Sequence, residues 1–325
     1  MGSTDLFSVQ LRKEIEKVDF YLAEHLKSHV PLISEINRHI LLGGGKRLRP
    51  LLFVLCSRLC GNVEERSYYL SAIFEYFHAA TLLHDDVIDK ADMRRGKPAA
   101  NTLWGNSASV LVGDFLLAKS FSLAVESQRL RLLEVLSRTT TQMAEGMVLE
   151  LVHSHNLFVA EETYLDILIN KTAILISAAC QTGAIWGKAA LKEEEALARF
   201  GLEMGIAFQM VDDLLDYTAT EKEFGKPVGN DFKEGKITLP LIHTLKHCSP
   251  EDRDTLKQLS RKDPFSEEDF KSLLDLINHY HGLAYAQQKA LEYKNRALES
   301  LSIFPVTETR QILEALTEFV VERKK

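Results

Sequence analysis

Residues 64–90 read EERSYYLSAIFEYFHAATLLHDDVIDK. Neither proline nor glycine interrupts them, and apolar residues fall on several sides of a helical projection. The stretch therefore reads as one long helix that is buried on more than one face. It then turns acidic at Asp85, Asp86 and Asp89. A second stretch, FQMVDDLLD at 208–216, has the same form. Working outward, the chain of 325 residues holds only 8 prolines and 17 glycines, and none of the prolines lies between Pro98 and Pro227. So few breakers favour long helices. The periodicity predicts helices at about 107–127, 129–156, 161–187 and 192–219. Upstream, Pro31 divides residues 5–40 into two helices, and a helix opened by Pro50 runs to Leu59, where Gly61 stops it. Downstream of Pro240 five more are expected, at about 240–247, 251–259, 266–278, 281–302 and 306–323. No strand is convincing, and there is no linker or fixed repeat. The expectation is an all-α chain, 1–325, folded as one large helix bundle.

Composition narrows the function classes. Hydrophobic residues make up 46% and charged residues 26%, enough apolar surface to offset chain entropy. The net charge of −7 argues against a nucleic-acid partner. Cys56, Cys60, Cys180 and Cys248 form no CxxC pair and read as reduced thiols of a cytoplasmic protein. No basic-then-apolar leader and no run of 18 apolar residues is seen, so no transmembrane segment is expected. Peripheral contact with a membrane is compatible with that reading.

Both acidic clusters have the spacing DDxxD. In a helix, residues four apart share a face, so Asp85 pairs with Asp89 and Asp212 with Asp216. Alone, either motif reads more readily as a solvated acidic face. Two copies, each following a bulky apolar segment, argue otherwise. Like charges repel, and burial adds a cost on the order of several kcal/mol per ion. A hard divalent cation offsets both. Mg2+ accepts one or two carboxylates and completes its shell with water and phosphate oxygens. Asp85, Asp86, Asp89, Asp212, Asp213 and Asp216 are the candidate metal ligands, and two such clusters facing one another would hold a polyphosphate between them. EF-hand calcium loops are excluded, because the loop glycine and distal glutamate are missing.

A diphosphate also needs cations. Lys46, Arg47 and Arg49 follow three glycines; Arg94 and Arg95 precede Gly96; Lys226 follows Gly225 and Lys236 follows Gly235. Glycine lets backbone N–H groups approach an anion, arginine grips phosphate with a planar fork, and lysine acts as a compact charge. His78 lies two turns before Asp85, on the same face. Lys171-Thr172 stands out of place in apolar helix sequence, as a cation and a hydroxyl directed at a substrate would.

Taken together, GGKRLRP at 44–50, LLHDDVID at 82–89, DMRRG at 92–96, Lys171-Thr172, FQMVDDLLD at 208–216, FGKP at 224–227 through Asp231, and GKITLP at 235–240 resemble the trans-isoprenyl diphosphate synthases of the long-chain polyprenyl type. The resemblance is strong over about residues 40–240 and weak in the C-terminal helices of about 240–325. It implies antiparallel helices around a deep central cavity, a homodimer, and two or three Mg2+ ions. It implies head-to-tail condensation of isopentenyl diphosphate with an allylic partner, farnesyl or geranyl diphosphate. By the same resemblance Asp85, Asp89, Asp212 and Asp216 bind Mg2+ bridging the allylic diphosphate, and Arg94, Lys171, Lys226 and Lys236 hold that group. Lys46, Arg49, His78 and Arg95 bind isopentenyl diphosphate. Thr172 and Gln209 are placed in sequence to steady the allylic cation with oxygen dipoles. Met147 and Glu150 depart from the family pattern of that helix, which puts any role carried over to it in question.

Product length is expected to depend on the helix just before Asp85. Short-chain members carry bulky aromatics where Ala80 and Thr81 stand here. Both are small, so a growing chain can pass, with Phe77, and also Phe74 and Tyr76, as candidates for a deeper floor. A hexaprenyl-to-decaprenyl product for quinone side chains is favoured. The alternatives are a geranylgeranyl diphosphate synthase and a catalytically inactive regulatory subunit of a heteromeric synthase. Such subunits typically lose an aspartate cluster, and both are whole here. A terpene cyclase would not need the GGKRLRP loop.

Overall fold

The computed structural model describes residues 3–24, 28–41, 43–218 and 229–322; Lys226 and the segment around it lie outside them. Among the described residues the chain is all-α apart from a ribbon of two short strands. In order, the elements are α1 (Ser3–Glu24), α2 (Pro31–Leu41), α3 (Leu48–Leu59), α4 (Arg66–Ile88), β1 (Met93–Arg94), β2 (Lys97–Pro98), α5 (Ala100–Trp104), α6 (Asn106–Glu126), α7 (Leu130–His153) and α8 (Glu161–Leu168). A single π-helical turn, Ile169–Ala173, leads into α9 (Ile174–Trp186), followed by α10 (Leu191–Thr218) and α11 (Asn230–Lys233). Then come α12 (Leu239–His247), α13 (Pro250–Leu259), α14 (Glu267–His279), α15 (Gly282–Ser300) and α16 (Glu308–Glu322).

The helices expected from periodicity are present, with ends displaced by a few residues. Their stops have the anticipated causes. Pro31 opens α2, and Ser249 caps α13 by accepting from the Asp252 N–H at 3.1 Å. Ser266 and Asp269 form a reciprocal capping box at the start of α14. All four cysteines are free, as their spacing implied.

The helices gather into two compact units: Met1–Thr139 with Leu175–Ala198 and Leu301–Glu314, and Thr140–Ile174 with Arg199–Ser300 and Ala315–Lys325. In the first, α4 is the central element. Every residue from Ser71 to Phe77 is buried, so the helix is wrapped on all sides. Phe74 tilts against Phe53 of α3 (centroids 5.6 Å apart), Phe77 meets Phe121 of α6 edge-on (5.8 Å), and the Tyr76 hydroxyl donates to the Leu22 carbonyl of α1 (3.2 Å). Each such side chain contributes roughly 1.5–3 kcal/mol through burial. These contacts also separate the three aromatics considered as a floor: only Phe77 looks towards α6, while Phe74 and Tyr76 are spent on packing against α3 and α1.

The second unit is built on the C-terminal half of α10 with α8, α12, α14 and α15, and its core includes Tyr164, Met210, Leu241, Leu273 and Ile277. Gly205 of α10 lies against Ala173 so closely that a β-carbon there would sit 2.7 Å from its Cα. That approach seats the π-helical turn on α10.

Two stretches, Asn106–Glu126 and Glu161–Trp186, are long and apolar enough to cross a membrane by length and composition. The core helices of compact proteins pass the same test. Both stretches have packing work here, α6 along α4 and the second around the turn that carries Lys171.

Candidate active site

The last turn of α4 presents its aspartates on different faces. Asp85 is half-buried and Asp89, at the helix end, is exposed; both stand on one face a turn apart. Asp86, one residue round the helix, is 0% exposed. Its Oδ1 accepts from the Arg94 Nε at 2.6 Å, while its Oδ2 is buried without a hydrogen-bond partner. Asp85 and Asp89 share the other face, while Asp86 is thus committed to Arg94. The link also fixes the ribbon that carries Arg94 and Arg95 beneath the helix. Two-residue strands leave no pattern in a sequence, so the ribbon was not legible there.

The basic residues of this unit gather beside that ribbon. Arg95 donates to the Gly44 carbonyl, which joins the ribbon to the glycine loop. Gly44 takes a φ of 99°, which L side chains rarely adopt, so a glycine is needed there. Burial first, and then Arg49, Arg95, Arg94 and Arg47 in turn, push the His78 imidazole well below its ordinary pKa. His78 is thus a neutral ring amid guanidinium groups, a setting that attracts an anion. The structure brings His78, Arg49, Arg94 and Arg95 into one neighbourhood; Lys46 stands exposed on the same loop.

In the second unit a cavity of about 140 Å³ is lined by Glu150, Lys171, Thr172, Gln209, Asp213 and Lys236, among others. The π-helical turn carries Lys171 and Thr172. Such turns recur at functional sites because they re-aim side chains. The Lys171 ammonium pairs with Glu150. Thr172 Oγ1 donates to Gln209 Oε1 (3.1 Å), and Gln209 Nε2 donates to Asp213 Oδ1 (2.9 Å). Tyr164 completes the chain by donating to Asp213 Oδ2 at 2.6 Å. Nothing in the sequence singled Tyr164 out, since an isolated helical tyrosine carries no signal. Glu150, flagged as a departure from the family pattern, is the counter-ion of Lys171.

The second aspartate cluster divides differently: Asp213 and Asp216 are both buried, and Asp212 is half-buried. Asp213 is buried and bonded to Gln209 and Tyr164. Burial, with Asp212 and Asp216 adding to it, raises its pKa to about 6. Asp216 accepts the backbone N–H groups of Asn230 (3.2 Å) and Asp231 (3.1 Å), which ties the start of α11 to α10. Burial and the facing Asp216 and Asp213 push Asp231 well above the usual carboxylate range. On Lys236, burial favours losing the proton, but Glu234, Asp231 and Glu150 outweigh it and raise the pKa.

Carboxylates whose pKa values are raised by burial and by one another lack positive charge, which a divalent cation supplies. Among the described residues no three His, Cys, Asp or Glu side chains stand together so as to hold an ion alone. Mg2+ takes one or two carboxylates and fills its shell with water and phosphate. The donor set is all oxygen, as a hard cation requires.

The Polyprenyl synthetase family model matches residues 30–277, most of the chain. The chain belongs to that family. This polyprenyl synthetase is 38% identical over 313 residues to octaprenyl diphosphate synthase of Escherichia coli (strain K12), covering 96% of this chain and 97% of that protein. It is 35% identical to geranylgeranyl diphosphate synthase of Sulfolobus acidocaldarius over 96% of this chain and 97% of that one. Among solved structures it is similar to the polyprenyl synthase of Caulobacter crescentus CB15 complexed with calcium and isoprenyl diphosphate. The TM-score is 0.93 at 38% identity, over 100% of this chain and 99% of that one. The expected all-α class and prenyltransferase activity are thereby shown: the polyprenyl synthetase is a trans-polyprenyl diphosphate synthase.

Proposed function

We propose that this enzyme makes a long-chain all-trans polyprenyl diphosphate, in the hexaprenyl-to-decaprenyl range, by repeated addition of isopentenyl diphosphate to farnesyl or geranyl diphosphate. The observation that carries the length assignment is the small, buried Ala80 beside Thr81, ahead of Asp85 on α4. Octaprenyl diphosphate synthase among the relatives supports it. A geranylgeranyl product is the second reading, favoured by the geranylgeranyl diphosphate synthase relative and by Phe77, which lies one turn deeper than Thr81.

In this reading Asp85, Asp89, Asp212 and Asp216 would hold the Mg2+ that accompanies the allylic diphosphate. When bound, the metal supplies Lewis-acid stabilisation of the charge that collects on the departing diphosphate. Lys171 and Lys236, with Arg94 and Lys226, grip the same group and add fixed positive charge where negative charge develops. Thr172 and Gln209 turn oxygen dipoles towards the carbon that becomes electron-poor. Being bonded to one another and to Asp213, they are poor nucleophiles. The apolar helices exclude water, which would otherwise capture the cation. Lys46, Arg49, His78 and Arg95 hold the isopentenyl diphosphate whose double bond attacks. Its excess proton passes to the departing diphosphate.

The active form is proposed to be a cytoplasmic homodimer. Leu111 and Val125 on α6 and Leu151 and Val152 on α7 are exposed apolar residues, which a second copy of the chain would cover.

Pyrophosphate release tests the activity. With isopentenyl and farnesyl diphosphate the purified chain is expected to release pyrophosphate only with a divalent metal, and EDTA is expected to abolish release. Because burial raises the Asp213 pKa to about 6, the cluster loses a negative charge beside Asp212 and Asp216 near that pH, and with it part of its attraction for the ion. Half-saturating Mg2+ is therefore expected to rise as the pH falls from about 7.5 to about 5.5. Release unaffected by EDTA would rule out the metal role.

A further inference from the structure

Arg47 sits in the middle of the basic loop yet does not face outward with its neighbours. Lys46 is exposed and Arg49 half-buried, but Arg47 is only 4% exposed. Its whole fork is engaged. Nε donates to Asp19 Oδ1 at 2.6 Å, Nη1 to Glu75 Oε1 at 2.7 Å and Nη2 to the Leu41 carbonyl at 2.5 Å. Its backbone is left-handed, with φ 49°, directly before α3. Glu75 is equally buried, at 5%, on the central helix α4 and one turn before His78. A buried ion pair of this kind is weak evidence for added stability, since desolvation cancels much of the attraction; its best-attested use is to specify geometry.

The geometry here is that of the anion site. Gly45 lies against both guanidinium groups, its β position 3.1 Å from Arg47 Nη1 and 3.2 Å from Arg95 Nη1. Glu75 acts electrostatically on Arg95 as well as on Arg47, whereas Arg47 and Arg94 repel Arg95. Asp19 pairs with Arg47 and Asp86 with Arg94, and Glu75 is the carboxylate that acts on Arg95 as well as on Arg47. We propose that Glu75 and Arg47 are a positioning pair: Glu75 draws Arg47 down into α1 and α4, which fixes the loop from Gly43 to Arg49 so that Lys46, Arg49 and Arg95 bind the diphosphate of the homoallylic substrate. The inference rests on the isopentenyl diphosphate role proposed above. It adds two residues, neither of which touches that substrate.

The test compares the wild type with Glu75→Gln, an isosteric change that removes the charge, and with Arg47→Lys, which keeps charge but loses the planar fork. Two readouts are taken on folded protein, with Tm as the check on folding. The first is steady-state turnover: Glu75→Gln is expected to raise KM for isopentenyl diphosphate about tenfold or more, while kcat and KM for the allylic substrate stay within about threefold. Arg47→Lys is expected to behave alike, which keeps the test open should Glu75→Gln not fold. The second is calorimetric titration of isopentenyl diphosphate in EDTA, where affinity should fall by the same factor. A wild type that binds isopentenyl diphosphate but turns nothing over would sink the proposed activity and leave the positioning pair standing. Unchanged KM and affinity in the folded variants, a fall in kcat or in allylic KM of equal size, or no metal-free binding by the wild type would each overturn the pair.

Discussion

Asp85→Asn and Asp212→Asn enzymes are expected to lose about 1,000-fold or more in kcat, since in the proposed reading each removes a negative ligand from an ion that stabilises the leaving diphosphate. Both substitutions keep side-chain size, and Asp85 and Asp212 are only half-buried, so Tm should move little. The adjacent Asp86 makes the contrast. It is wholly buried against Arg94, so Asp86→Asn strands a guanidinium and is expected to cost about 3–5 kcal/mol of stability. One motif thus contains two kinds of failure. Pyrophosphate release and thermal denaturation on the three variants separate them. An Asp85→Asn or Asp212→Asn enzyme within about tenfold of wild-type kcat would show that the ion does not carry the charge.

Ala80→Phe is expected to change what the enzyme makes rather than how fast it starts. Ala80 is buried on α4, one turn beyond Phe77. A benzyl group there occupies space through which the growing chain would pass. Elongation should stop after one or two additions to farnesyl diphosphate, and the main product should become geranylgeranyl or geranylfarnesyl diphosphate. Because the residues proposed to bind the diphosphates stand elsewhere, the first addition should keep a rate within about tenfold of wild type; extra bulk in a packed core commonly costs about 1–3 kcal/mol, so Tm is measured alongside. The converse change, Phe77→Ala, should lengthen products if Phe77 is the floor. Reverse-phase chromatography of dephosphorylated products reads both. An unaltered product distribution in folded Ala80→Phe would place the growing chain elsewhere.

The helices and the chemical class were legible because both rest on short-range regularities. Apolar periodicity and scarce proline mark long helices. Carboxylates at i and i+4 after an apolar run mark a metal site more strongly when they occur twice. What the sequence left hidden depends on where a side chain turns within one helical step. The spacing DDxxD treats its first two aspartates alike, yet Asp86 is consumed by Arg94 and Asp213 by Gln209 and Tyr164. Arg47 stood among the basic residues that could balance a diphosphate, though the resemblance gave it no role, and its bonds to Asp19, Leu41 and the buried Glu75 show that it faces inward. The π-helical turn at Lys171 was equally hidden, because one extra residue in a helical turn has no compositional mark.

The most direct test of the central claim is to size the product. Purified protein is incubated with Mg2+, farnesyl diphosphate and an excess of labelled isopentenyl diphosphate, and the extracted, dephosphorylated lipids are weighed by mass spectrometry. The account predicts several isopentenyl units per farnesyl unit, all-trans and in the hexaprenyl-to-decaprenyl range, and nothing in EDTA. A product that stops at geranylgeranyl would contradict the assigned length, and no extractable lipid from a folded, metal-loaded chain would contradict the synthase reading itself.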